Sequence, residues 1–272
     1  MVPPPAPPPT APAPPPAQTA PALEQLDLLT FHKDNYFLTG FTGEAQVKFQ
    51  FSAKFDFWPN RGHHAMHFGI TQKSLWALYR PSAPFVENNY NPELFYTYFH
   101  HENRYEPPAA CRFFSERLGV EHESNGEDQP RSRGWNRAYI ESRFACYSAS
   151  KNYGIATLKV WAPPFGKTDN PDITRYLGYG ELALSVGTEA SGAWYGEADV
   201  TVRGRKGTSR KLGLGSLQVD ARWRPRFISI SRFTPFFYVQ AFTGYGETLL
   251  GYDDARTNVR VGIGFSDRTT RE

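Results

Sequence analysis

Alternation is the strongest constraint in this sequence. Residues 45–58 read AQVKFQFSAKFDFW, in which Val47, Phe49 and Phe51 alternate with Lys48, Gln50 and Ser52. Successive side chains of an extended chain point to opposite faces, so a period of two marks a strand with one apolar and one polar face. Similar segments recur near 64–79, 93–105, 111–124, 134–148, 153–161, 174–188, 192–204, 211–224, 227–242 and 256–265. Turn-rich pieces such as PNRGHH, NGEDQPRSRG, GKTDNPD and RGRKGTSR separate them. The pattern predicts eleven or twelve strands and no helix, and many strands exceed the length usual in globular sheets. Bacterial barrels usually have an even strand number, so the expected fold is all-β, a twelve-stranded antiparallel transmembrane β-barrel.

No run of roughly 18 apolar residues is present, which excludes a transmembrane helix. The chain is polar on average yet carries 15 Tyr, 21 Phe and 6 Trp. A barrel wall reconciles the two, because lipid-facing and lumen-facing residues alternate; a soluble all-β protein has the same composition. Trp58, Trp76, Trp135, Trp161 and Tyr176 fall near strand ends, as girdle residues at the membrane interfaces or as ordinary sheet residues. Residues 1–22 are a Pro/Ala tract without a basic stretch followed by an apolar one, so they do not read as a secretion signal. Proline blocks helix and sheet there, which predicts a disordered linker over 1–31 and a barrel domain over 32–272. Net charge is only +3 and the basic residues are scattered, which argues against a nucleic-acid partner.

The segment VEHESNGEDQPRSRGWNR, residues 120–137, carries the candidate chemistry. His122 and Ser124 are two apart, so on a strand they share a face, the minimum for an activated serine. If 111–124 and 134–148 form a hairpin, one register sets His122 opposite Asn136, which can accept from the imidazole and fix its tautomer. Even-numbered residues of the second strand, Ala138, Ile140 and Phe144, read as lipid-facing, and odd-numbered Arg137, Glu141 and Arg143 as lumenal. His122, Ser124 and Asn136 are all even, so the set is expected on the outside of the barrel, where the substrate is a lipid. Glu116 and Arg112 are also even. Either Glu116 lies near an interface, or a bulge shifts the register between it and His122. On the same parity Cys111 faces the lumen and Cys146 the lipid, so no disulfide is expected between them.

The segment H-E-S-N-G-x₄-R-S-R-G-W-N-R, His122–Arg137, resembles the active-site segment of outer membrane phospholipase A. TQKSLWAL at 71–78, SAPFVENNYNPELF at 82–95, DNPDITRYLGY at 169–179 and TGYGETLLGY at 243–252 resemble that family too, and the resemblance covers about 32–265. It implies a Ca²⁺-dependent outer-membrane enzyme that hydrolyses sn-1 and sn-2 acyl esters of phospholipids and lysophospholipids and is active as a homodimer. It also implies Ser124 as nucleophile, His122 as general base and then acid, Asn136 as the orienting residue and the Gly126 N–H as an oxyanion donor. For calcium it implies the Ser132 side chain, the Glu127 backbone carbonyl and the Ser82 carbonyl from a second chain, with Asp169 at a further, weaker site. Gln129 stands where the family usually has an aspartate, which puts that further site in doubt. Gln72 matches a polar residue of the dimer interface; the other reading is a lumen-facing glutamine.

Overall fold

The computed structural model describes residues 29–40, 47–61, 63–100, 111–162, 164–188, 196–211, 213–228 and 233–267. The Pro/Ala tract lies outside them. Twelve strands follow one another antiparallel: β2 (Asn35–Gly40), β3 (Val47–Arg61), β4 (His64–Trp76), β5 (Phe85–Phe99), β6 (Arg112–Ser124), β7 (Gly134–Tyr147), β8 (Asn152–Trp161), β9 (Gly180–Thr188), β10 (Glu197–Lys206), β11 (Gly215–Arg224), β12 (Phe233–Gly244) and β13 (Arg256–Asp267). Each pairs with the next and β13 returns to β2, so the wall closes and no edge is left unpaired. A further short strand, β1 (Leu29–Phe31), adds to β3 beyond the end of β2, inside the expected linker. One short helix, α1 (Ile173–Leu177), interrupts the segment read as strand over 174–188.

The alternation sorts side chains as a membrane wall requires. Phe51, Leu118, Val120, Ile140, Leu158, Leu184, Val186, Val239, Val259 and Ile263 are exposed around the outside. An apolar belt of that extent is stable against acyl chains and not against water. Inside, charges are paired: Arg137 with Glu121 at 3.1 Å, Lys159 with Glu121 at 2.9 Å, Arg205 with Glu181 at 2.6 Å and Arg222 with Asp199 at 2.6 Å. Residues 32–34, between β1 and β2, reach into the lumen. There His32 and Lys33 meet Glu93 at 2.6 and 2.7 Å, and Asp34 pairs with Arg222. The remaining polar cavity is about 470 Å³, so the lumen is a packed interior rather than an open pore.

One expectation is corrected, and one open choice is settled. Cys111 and Cys146 form a disulfide. Parity failed because β6 bulges at Phe114: Phe113 pairs with Phe144, the register shifts, and Ser115 pairs with Arg143. The extra residue flips the faces below it, so exposed Phe113 replaces an even residue on the outside and Cys111 comes opposite Cys146. The bulge lies on the far side of Glu116 from His122. Glu116 therefore stays on the outer face, where its carboxylate accepts from the Ser142 hydroxyl and sits 3.8 Å from His100. Trp135, Trp161 and Tyr176 do not form a girdle. They pack with Phe95, Tyr139, Ile173, Leu177, Leu249 and Tyr252 in a core inside the barrel mouth.

Connections 77–84, 125–133, 162–179 and 245–255 share one end; the opposite end carries one long connection, between β5 and β6, alongside the short ones β3–β4 and β7–β8, so the end with the longest connection, 162–179, reads as the outer side. The disulfide lies at the opposite end, toward the oxidising periplasm. Folded protein in detergent is expected to take up no thiol alkylator until reduced and two equivalents afterwards, read by intact mass; uptake without reductant overturns the pairing.

Candidate active site

β6 and β7 build the site where they approach the outer end. Their register sets His122 opposite Asn136 and Ser124 opposite Gly134. His122 Nδ1 and Asn136 Oδ1 are 2.9 Å apart. The Asn136 amide is oriented from behind, because its Nδ2 donates to the Phe165 carbonyl at 3.2 Å. A carbonyl can only accept, so the oxygen faces His122, Nδ1 is the donor, and Nε2 keeps its lone pair for a general base. Ser124 is two residues on, on the same outer face. A methyl group added to Gly134 would lie 3.3 Å from Ser124 Cβ and 3.8 Å from His122 Cε1, so serine and imidazole border one small space that Gly134 keeps open. Leu118, Val120 and Ile140 surround this face, and all three are exposed.

Proline loosens the wall beside the pair. β5 and β6 keep one register, with Tyr90 opposite Ser124 and Glu93 opposite Glu121, but the ladder is interrupted between those pairs, at Pro92. Proline has no N–H to give. The His122 carbonyl accepts instead from Asn91 Nδ2 at 2.7 Å, which holds the histidine backbone without a ladder bond. Sequence reasoning passed over Asn91; an Asn beside an in-strand proline was its only signal.

The loop after Ser124 is organised by Asn125, which is buried. Its Oδ1 accepts from Arg133 N at 2.9 Å and its Nδ2 donates to Arg131 O at 2.7 Å. Gly126 follows at φ +65°, with the Tyr90 ring 3.3 Å from where a Cβ would stand. Both the left-handed backbone and the close ring call for glycine. The Glu127 carboxylate pairs with Arg131, whose guanidinium holds it below the usual carboxylate range. The Glu127 carbonyl is a further oxygen that this residue can offer a cation. Ser132 Oγ donates to Asp169 Oδ2 and Gln129 Nε2 to Asp169 Oδ1, each at 2.5 Å. Ser132 and Asp169, read separately from sequence, meet here. Ser82 lies in the neighbouring β4–β5 loop at φ 62°.

Oxygens are the right chemistry for a hard cation, but calcium takes six to eight of them. Among the described residues, no group of three His, Cys, Asp or Glu is placed to hold a metal. Ser132, Asp169 and the loop carbonyls fit as part of a shell that other oxygens complete. Gln129 occupies Asp169 Oδ1 with a hydrogen bond, where a carboxylate at this position would add a second anionic ligand.

Gln72 is on the outer face, between exposed Phe68 and Ile70 on one side and Ser74 on the other, and donates to Ser74 Oγ at 3.3 Å. It pairs with Tyr90, which pairs with Ser124, so Gln72 and Ser124 stand in one row.

A closed barrel with an apolar belt and a hydrogen-bonded His–Asn pair beside a serine on its lipid side defines an integral enzyme of a bacterial outer membrane. The chain belongs to the phospholipase A1 family, whose family model matches residues 25–266, and it is a phospholipase. Phospholipase A1 of Salmonella typhimurium is 32% identical over 228 residues, 82% of this chain and 70% of the relative. Among solved structures, outer membrane phospholipase A from Escherichia coli superposes with a TM-score of 0.69 at 27% identity, covering 90% of this chain and 94% of the other. The Salmonella typhi outer membrane phospholipase, a dimer with bound calcium, gives 0.67 at 28% identity over 87% and 91%.

Proposed function

We propose that the enzyme hydrolyses sn-1 and sn-2 acyl esters of phospholipids and lysophospholipids through Ser124, His122 and Asn136, with calcium and as a homodimer. The 2.9 Å His122–Asn136 contact beside Ser124, on the lipid face, carries this reading. His122 Nε2 takes the Ser124 proton as Oγ attacks the ester carbonyl. The Gly126 N–H donates to the oxyanion. His122 then protonates the departing lysolipid oxygen, and water, deprotonated by the same nitrogen, releases the fatty acid. Ser132, Asp169 and the Glu127 carbonyl would hold calcium, with the Ser82 carbonyl of a second chain; when bound, the ion supplies positive charge where the ester oxygen becomes negative.

Geometry and the calcium-bound dimer of the Salmonella typhi relative both support a dimer. Gln72 is two strand spacings, about 10 Å, from Ser124. A second barrel seated on the Gln72 face would wall the site and shelter an amide that lipid cannot hydrogen-bond. Cross-linking in detergent is expected to give a dimer with calcium and monomer without it. Hydrolysis of lipids labelled at each acyl position is expected to follow the dimer; full activity in the monomer sinks the activation scheme. Gly126→Ala keeps the N–H, but its Cβ meets the Tyr90 ring at a positive φ, so the donor is expected to turn off the oxyanion and kcat to fall, by at most about 10²–10³, the loss typical of one oxyanion donor. Wild-type kcat in that variant would show that glycine is not required to hold this N–H in place.

A further inference from the structure

We infer that the main chain at Phe165–Gly166 is a positioning element for the catalytic set, fixing the Asn136 amide from the side opposite His122. This inference rests on the triad reading above and extends it beyond three residues.

Phe165 lies in the β8–β9 loop and docks on β7 as an isolated bridge to Asn136. Asn136 N donates to Phe165 O at 2.9 Å, and Phe165 N donates to Asn136 O at 3.2 Å. The same Phe165 carbonyl takes the Asn136 side-chain N–H at 3.2 Å. One oxygen therefore holds both the backbone and the side chain of the orienting residue. Without it the amide could turn over, presenting N–H to His122 and forcing the wrong imidazole tautomer.

Gly166 makes this grip possible. Its φ is +63°, and a Cβ there would stand 2.3 Å from Asn136 Nδ2, closer than any real contact. The nearest atom is the end of a side chain, so the clash would be relieved by swinging the amide away from Phe165 O and off its line to His122. The loop is anchored on both sides of this point. Ala162 N donates to Ala138 O at 2.9 Å, and the fully buried Asn170 accepts from Gly134 N through Oδ1 at 2.9 Å. Asp169 of the same loop receives the Ser132 and Gln129 donors. The clamp thus spans Gly134, Asn136 and Ala138 along the strand that faces the nucleophile.

Gly166→Ala is expected to lower kcat about 10- to 100-fold, the scale of a misplaced reacting group. KM, calcium-dependent cross-linking and the heat-modifiable gel mobility of the folded barrel are expected to stay at wild-type values. In an Asn136→Ala background the same substitution is expected to cost nothing further, because the amide it displaces is gone. Wild-type kcat in Gly166→Ala, or an equal loss in the Asn136→Ala background, overturns the inference. Asn136→Asp serves as a second variant that adds no bulk. It keeps an acceptor for His122 but has no N–H for Phe165 O, so kcat is expected to fall; unchanged or raised kcat counts against the grip. If Asn136→Ala itself is fully active, the triad reading fails and not the clamp alone.

Discussion

Ser124→Ala is expected to lower phospholipid hydrolysis by about 10⁴–10⁶-fold with calcium present, leaving the folded barrel intact. Loss on this scale is what removal of a serine nucleophile costs elsewhere, because histidine and the oxyanion donors retain only the part of catalysis that does not pass through the acyl-enzyme. His122 has one lone pair to offer, on Nε2, since Nδ1 is committed to Asn136 Oδ1. Ser124 is the residue directly opposite Gly134, at the space that the imidazole also borders. A fluorophosphonate probe should label wild type with calcium present and not Ser124→Ala. Equal labelling of both proteins, or a variant within about tenfold of wild type, would mean that the nucleophile is elsewhere.

The β6–β7 hairpin and its register were legible in the sequence because that information is local. A period of two assigns faces without knowledge of the rest of the fold, and one register sets His122, Ser124 and Asn136 together. The same logic failed for Cys111 because a bulge carries no strong mark: Phe113–Phe114–Ser115 contains no Gly or Pro to announce an extra residue. β2 was missed because NYFLTG gives few repeats of the period, and its six residues are recognisable as a strand only between β13 and β3. α1 has five residues, too few for a 3.6-residue period to show. Contacts between distant segments were the least legible. Nothing near Asn136 in sequence points to Phe165, and the His32–Asp34 insertion finds its charges on β5 and β11. Trp135 and Trp161 read equally well as girdle or interior. Odd parity on β7 places Trp135 inside, and Trp161 packs on it.

Chelation of calcium is expected to lower hydrolysis about 10²–10³-fold and to dissolve the cross-linkable dimer, both restored by calcium. The argument is one of ligand count. A hard cation needs more oxygens than Ser132, Asp169 and the Glu127 carbonyl can supply from one chain, and the Glu127 carboxylate is already committed to Arg131. The missing oxygens must come from water or a second chain. If they come from a second chain, calcium and barrel binding are linked, and each raises the affinity for the other. Half-maximal calcium should therefore fall as protein concentration rises, which a site complete in one chain cannot do. Ser132→Ala removes one ligand and is expected to raise half-maximal calcium by about tenfold, the equivalent of about 1.4 kcal/mol, while kcat at saturating calcium stays near wild type. Gln129→Asp is expected to act in the opposite sense: it replaces the donor now held on Asp169 Oδ1 with a carboxylate and so exchanges a hydrogen bond for a second anionic ligand. Undiminished activity in chelator, or a calcium requirement independent of protein concentration, would exclude an ion shared between two barrels.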